Sequence, residues 1–389
     1  MAESLQIKKF GAVEHAKLEN IGQLLFLIGE SGSGKSTILK VLSMCRWIYK
    51  QQNIYGYLRT SGVTNVPSEH NANEYLRASG LIDYVREGSC IEYEREGVSI
   101  VIKAKDPFVI QPNPVRMETA TEPTKDELCL EKVSYMTEKR NIIPDLLAGS
   151  FDNGIKDYYL NDLYLEVKEA WKYVRDMHVS AVNVDLHTQQ DANAEALMIE
   201  GKSEDGRPYK IRFEDSSSGI QSSVPLEMLM AYYTKHFNLE RSLTTAVLGY
   251  LGRLDAFKLF SPNQNIGEIP RKCIDVHIEE PEMCLYPSNQ ISWFNGLIAQ
   301  TMMDEHQYVV RTAITTHSPY LLNYLNLLFK AHDKNKPING VSLDFDKVNV
   351  YAVVEGETRD LKIQNARLVD PEYLSAPIDD IYNMYDALD

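Results

Sequence analysis

The sequence predicts an α/β protein built on a mixed, largely parallel sheet, with an α+β insertion. Three observations lead there. The apolar run QLLFLIG (23–29) reads as a buried strand that ends in a glycine-rich turn, and a helix-patterned stretch follows it. IDVHIEE (274–280) and VVRTAITTH (309–317) are two more apolar strands, each followed by a helical pattern. Strands alternating with helices favour parallel pairing, with function at the strands' C-terminal ends.

The elements follow in chain order. LQIKKF (5–10) alternates like a half-buried strand. In STILKVLSMCRWIYK (36–50), Ile38, Val41, Leu42 and Cys45 recur at helical spacing. Residues 56–194 are more polar. They hold a proline-rich stretch, DPFVIQPNPV (106–115), a hairpin pattern, CIEYEREGVSIVIKA (90–104), and a helical stretch near 158–178. They read as an insertion or lid in a core formed by residues 1–55 and 195–389. EALMIEGKSEDGRPYKIRF (195–213) reads as two strands around a glycine-containing turn. No internal repeat and no long heptad run is present, so a coiled-coil arm is not expected.

Bulk properties exclude some function classes. A chain of 389 residues is long for one simple core, so two domains or one domain with a large insertion is expected. No apolar run approaches the roughly 18 residues of a membrane span, and MAESLQIKKF has no signal-peptide core. The five cysteines (Cys45, Cys90, Cys129, Cys273, Cys284) form no CxxC pair and read as reduced, mostly buried thiols. A cytoplasmic protein without membrane contact is expected. The net charge of −15 does not indicate nucleic-acid binding, which would need a local patch, a dimer groove or a partner. An acidic surface equally suits a basic protein.

The strongest motif is GESGSGKST (29–37), which fits G-x-x-x-x-G-K-[ST] at a strand-to-helix turn. Gly29, Gly32 and Gly34 let the backbone fold tightly, so that amides, including those of Ser33 and Thr37, face a phosphate. The helix adds the positive end of its dipole. Lys35 reaches the β and γ phosphates, and the Ser36 hydroxyl joins a Mg²⁺ shell. Asn335-Lys336-Pro337-Ile338 lacks the aspartate of a guanine reader. Glu279 and Glu280 close an apolar strand; they suit a metal ligand and a general base, or a solvated acidic turn. DSSSGIQSS (215–223) opens an apolar helical stretch and suits a second phosphate surface or a helix cap. His317 stands just past a strand end, as a hydrogen-bond donor to a γ-phosphate or as a structural residue.

Taken in order, GESGSGKST, SSSGIQS, EEPEMCLYPSNQ (279–290) and TTHSPYLL (315–322) resemble the motifs of ABC-type ATPase heads of the RecF and OLD, or AAA-21-like, group. The resemblance implies ATP and Mg²⁺ as cofactors. It implies Glu279 as the Walker B acid, Glu280 as the hydrolytic base and His317 as the switch histidine. It implies that residues 281–290 form a dimer-contacting D-loop. Ser217, Ser218, Gly219 and Gln221 become a signature that meets the γ-phosphate of a second protomer. A head-to-tail homodimer, or a higher homo-oligomer, with sandwiched ATP follows from it, working as a slow nucleotide-gated switch. Ser31 departs from the family's frequent Asn, and no Q-loop glutamine can be placed. YMTEKRN (135–141) resembles the family's Y-x-P-x-x-R segment, which makes Arg140 a candidate phosphate or interface residue, or a surface ion pair. OLD relatives carry a Toprim nuclease domain, and the residues after His317 are too few for one. An effector, nuclease or toxin, is therefore expected on a separate chain, as in PARIS and Septu-type phage defence. A RecF-like repair ATPase and a non-hydrolysing scaffold are the alternatives. The EEPE and TTHSP motifs differ from those of transporter subunits.

Overall fold

The computed structural model describes residues 3–66, 72–106, 108, 113–119, 123–149, 154–191, 194–203, 205–262, 266–269, 271–303 and 308–388. In the N-terminal third, strands β1 (Glu3–Phe10), β2 (Val13–Leu18) and β3 (Leu24–Ile28) precede helix α1 (Lys35–Thr60) and helix α2 (Ala72–Ala78). Strands β4 (Val85–Arg95), β5 (Val98–Ala104), β6 (Val115–Thr119) and β7 (Cys129–Met136) follow, then helices α3 (Ile143–Leu147) and α4 (Tyr158–Trp171). Next come strands β8 (Asp176–Val179), β9 (Val184–Asp191), β10 (Ala194–Lys202) and β11 (Pro208–Arg212), and helices α5 (Ser218–Lys235) and α6 (Leu239–Arg253). The last third holds β12 (Arg271–Glu279), α7 (Pro287–Ile298), β13 (Val309–Thr316) and α8 (Pro319–Asp333). It ends with β14 (Val348–Val354), β15 (Glu357–Asp360), the short pair β16 (Lys362–Ile363) and β17 (Leu368–Val369), and α9 (Glu372–Asp386).

One eleven-stranded sheet runs β6-β5-β4-β1-β2-β15-β14-β3-β13-β12-β7. Its half β14-β3-β13-β12-β7 is parallel, and the rest is mainly antiparallel. The parallel strands are buried on both faces, as the unbroken run LLFLI requires. Along β3, Leu24, Phe26 and Ile28 enter one core while Leu25 and Leu27 enter the other. The mixed α/β class read from the sequence is what the chain adopts.

The expected boundaries at residues 55/56 and 194/195 do not separate parts of this fold. Helix α1 continues to Thr60, and Gln51, Gln52 and Asn53 are buried in it. Strands β4, β5 and β6 extend the main sheet from β1, and β7 flanks β12. At the second boundary, β9 pairs with β10 in a separate four-stranded sheet, β11-β10-β9-β8. The physical reason is strand pairing, whose backbone bonds the local composition does not reveal. The helical stretch expected to reach 178 stops at Trp171, because Asp176–Val179 pairs with β9.

The main sheet curls over α1, and buried charges hold the two halves together. Arg46 of α1 grips Glu3 of β1 with Nε–Oε1 at 2.9 Å and Nη2–Oε2 at 3.0 Å. Arg311 of β13 forks onto Asp275 at 2.6 and 2.7 Å and reaches Glu3 at 2.8 Å. Arg95 of β4 donates to Glu131 of β7 at 2.6 Å. Burial opposes ionisation of Asp275, but Arg311, Arg46 and Arg95 outweigh it and hold the carboxyl well below its ordinary range. Truncating Arg311→Leu leaves two buried carboxylates short of a partner. We expect a loss of about 3–5 kcal/mol, read from urea unfolding at pH 7. Because the native pKa values of Glu3 and Asp275 are depressed, the contribution of these two carboxylates is full above about pH 4 and erodes as pH falls further. A loss below about 1 kcal/mol would refute the account.

Candidate functional site

The register of the parallel strands assembles the site. Ile28 pairs with Thr316 across β3 and β13, and Glu279 pairs with Thr315 across β12 and β13. The residues that leave these strand ends therefore emerge side by side: Gly29, Glu280 and His317. Neighbouring strands lie about 4.8 Å apart, so the three groups share one edge of the sheet.

The 29–37 loop has the backbone that its glycines predict. Gly32 and Gly34 take φ of 80° and 109°, where side chains are strained. A Cβ on Gly29 would stand 2.3 Å from the carbonyl oxygen of Val353. Lys35 Nζ donates to the carbonyls of Gly29 at 3.0 Å and Glu30 at 2.7 Å. Burial pulls the Lys35 pKa down, while Glu280, Glu282 and Glu30 act against it. Those opposing carboxylates mark how close the β12 end lies to the loop. Ser33 Oγ is buried without a hydrogen-bond partner, Ser36 is half-buried in the first turn of α1, and Thr37 is buried.

Glu279 and Glu280 differ sharply although adjacent. Glu279 is 1% exposed, and its Oε1 has no hydrogen-bond partner. Lys40 Nζ stands 3.9 Å from that oxygen, and the Glu138 amide donates to Oε2 at 3.3 Å. Burial, then the Glu138 carboxyl, pushes the Glu279 pKa up to about 7. A buried carboxylate oxygen without a donor, at a strand end beside a glycine cradle, fits a divalent cation. Ser36 and Glu279 are the residues that would hold it.

Glu280 is held in a strained conformation, with φ of 43°. Its amide donates to Thr315 O at 2.9 Å, and its carboxylate Oε1 stands 3.4 Å from His317 Nε2. The His317 amide donates to Glu282 Oε1 at 2.6 Å, which fixes the histidine's backbone against the 281–285 turn.

Ser217, Ser218, Gly219 and Gln221 lie elsewhere, at the N-terminus of α5. Ser217 and Ser218 are exposed, and Ser217 makes no side-chain cap. Among the described residues no hydrogen bond joins these four to residues 29–37. Gln221 Nε2 is spent on Glu214 O at 2.8 Å, within its own loop. The helix instead packs behind the turn after Glu280. A Cβ on Gly219 would meet Cys284 O at 2.9 Å, and Ser222 Oγ donates to Met283 O at 3.0 Å. In the segment compared with a D-loop, Gln290 is buried and accepts from Ser318 Oγ at 2.6 Å, while Tyr286 is 76% exposed.

Arg140 is neither a surface ion pair nor an exposed group; it is 0% exposed. Its guanidinium donates to the carbonyls of Glu279 at 2.6 Å, Glu280 at 2.5 Å and Thr137 at 3.3 Å. Its Nε donates to Ser222 O in α5 at 3.0 Å. One side chain thus ties the strained acidic turn to the helix that carries the exposed serines. Sequence reasoning also missed Glu138 and Lys40, which flank Glu279. The available signal was CLEKVSYM, an apolar strand interrupted by Glu131 and Lys132.

No family model matches the chain, and no curated protein matches it. Among solved structures, three of its likenesses are these. An SMC head domain from Thermotoga maritima is 12% identical, covers 93% of this chain and 99% of its own, and has a TM-score of 0.36. An SMC head bound to the C-terminal domain of ScpA, from Pyrococcus furiosus, is 12% identical over 94% and 97%, with a TM-score of 0.37. The dimeric bacterial ABC transporter cassette MJ0796 is 11% identical over 92% and 99%, with a TM-score of 0.34. The chain has a mixed α/β fold with a phosphate-loop sequence at a strand-to-helix turn, and solved structures similar to it include SMC heads and ABC cassettes.

Proposed function

We propose that the chain is a Mg²⁺-dependent ATPase of the ABC-head type that works as a nucleotide-gated homodimer. The observation that carries this reading is the shared sheet edge: the 29–37 loop, Glu279, Glu280 and His317 leave adjacent parallel strands in register. In this reading the loop amides, Lys35 and the α1 dipole bind the phosphates. Ser36 and Glu279 would hold Mg²⁺, which would supply neutralisation of the phosphate charge. Glu280 takes the proton of the attacking water, and His317, 3.4 Å away, orients that carboxylate. Ser217 and Ser218 are exposed, with Gly219 half-buried beside them, so the serines are available to cap nucleotide on a second protomer. Because closed dimers would bind ATP more tightly than open ones, ATP drives closure and hydrolysis releases it.

Loss of the Lys35 ammonium gives the direct test of nucleotide binding. Lys35→Ala should weaken ATP binding by at least about tenfold, measured by calorimetry, since a charge-assisted contact is worth about 1.5–3 kcal/mol. Affinity equal to wild type would remove the phosphate loop from the reading.

The setting we propose is a sensor or regulator subunit paired with a separate effector, nuclease or toxin, in phage defence. The four-motif resemblance supports it. Association with a purified product of a neighbouring gene would support this setting. Salt-dependent duplex binding by the chain alone would favour repair. ATP-driven dimerisation with no phosphate release would favour a scaffold. No described helix is long and apolar enough to cross a membrane.

A further inference from the structure

Three helices line a cavity of about 230 Å³ over β7. Each helix contributes residues spaced to share one face. Trp47 comes from α1 and Tyr75 from α2, while Tyr158, Tyr159 and Asp162 lie within one turn of α4. Tyr135 rises from β7 beneath them. Trp47 lies twelve residues beyond Lys35 on α1, about 18 Å along its axis, so the cavity is distinct from the phosphate loop.

The rings pack edge and face around the space. Trp47 and Tyr75 meet edge-on with centroids 4.4 Å apart, Tyr135 and Tyr159 lie at 4.2 Å, and Tyr158 meets Tyr159 edge-on at 5.2 Å. Tyr159 already takes one cation, Lys40 Nζ, at 5.4 Å from its centroid. Two polar groups stand in the wall. The Tyr135 hydroxyl is buried, with the residue 2% exposed, and lies against the Glu279 carboxylate. Asp162 has no hydrogen bond or ion pair among the described residues. The cations around it are Lys132, which is spent on Glu166, and Lys50, which acts on it only at a distance. Asp162 is half-buried, and burial pushes its carboxyl up to about 6.

The choice of ligand follows from these groups. An anion would face Asp162. A neutral guest would cover the half-buried Asp162 carboxylate without compensating it, at a cost in binding. A cation gains from both the ring faces and the carboxylate. We infer that this aromatic cavity is a binding site for a small organic cation of the alkylammonium class, with Asp162 as its counter-charge. A methylated ammonium suits the site better than a bare one, because its surface is apolar and weakly hydrated.

Calorimetry on the full chain without nucleotide tests this, so that it stands apart from the ATPase reading. The probes are tetramethylammonium, choline and 3,3-dimethyl-1-butanol, the uncharged carbon isostere of choline. We expect saturable binding of both cations, with the isostere about tenfold weaker or more. Asp162→Asn, which keeps the shape, should weaken choline by about tenfold. Tyr158→Leu alters a ring that is 45% exposed and should weaken choline without unfolding the chain. Equal affinity for choline and its isostere would overturn the proposal. So would unchanged choline affinity in Asp162→Asn, or the absence of saturable binding by either cation.

Discussion

Glu280→Gln is expected to lower phosphate release by about 10²–10⁴-fold while leaving ATP affinity close to wild type. Gln has the same size and keeps an acceptor oxygen toward His317, but it cannot take a proton from water. The backbone at this position is strained, with φ of 43°, and is held from both sides by Thr315 O and Arg140. Gln therefore inherits the geometry of Glu, and the loss isolates proton transfer. A second readout follows from the same chemistry. If hydrolysis reopens a closed dimer, the variant should accumulate as a dimer in ATP and Mg²⁺, and light scattering should show its mass double. Ser217→Arg in that background should restore the monomer mass, because a bulky side chain at the exposed start of α5 blocks the second protomer's nucleotide. A rate within about threefold of wild type would mean that another group activates the water. A constant mass would separate hydrolysis from assembly.

Local, contiguous features of this molecule were legible in its sequence. The 29–37 loop carries its conformation in its own glycines, and LLFLI, IDVHIE and VVRTAITT announce buried strands by their apolar runs. Their common edge could be anticipated, because parallel strands with intervening helices align their C-terminal ends. What depends on distant partners was not legible. CLEKVSYM is a parallel strand beside β12, yet its Glu131 and Lys132 make it look half-exposed. Glu131 is buried because Arg95, which is 36 residues earlier, supplies its counter-charge. The same holds for Gln51, Gln52 and Asn53, which lie past the helical pattern of 36–50 and are buried. Residues 56–194 therefore looked like a lid while containing four strands of the main sheet. In the cavity, spacing puts Tyr158 and Asp162 on one face, but nothing local brings Trp47 and Tyr75 to meet it.

Removing the Arg140 guanidinium should uncouple the α5 helix from the acidic turn. In Arg140→Met the carbonyls of Glu279, Glu280 and Ser222 lose a buried charged donor. Each unsatisfied buried acceptor costs about 1–3 kcal/mol, so a stability loss of about 3 kcal/mol or more is expected in urea. Burial draws the Arg140 pKa down to about 10, against the pull of Glu282, Glu279 and Glu280. The group therefore stays charged at neutral pH. A purely structural role would end there, with ATPase of the folded variant unchanged. A positioning role predicts more. The Glu280 backbone would relax from its strained conformation, so kcat should fall by about tenfold or more while KM for ATP moves little, since the phosphate loop is untouched. Arg140→Lys separates the two readings further. A lysine ammonium can reach one or two of these carbonyls but cannot bridge from the acidic turn to Ser222 in the fork that Arg provides. It should recover most of the stability and little of kcat. Recovery of both together would mean that any buried cation suffices, and that the bond from β12 to α5 carries no information about the state of the turn.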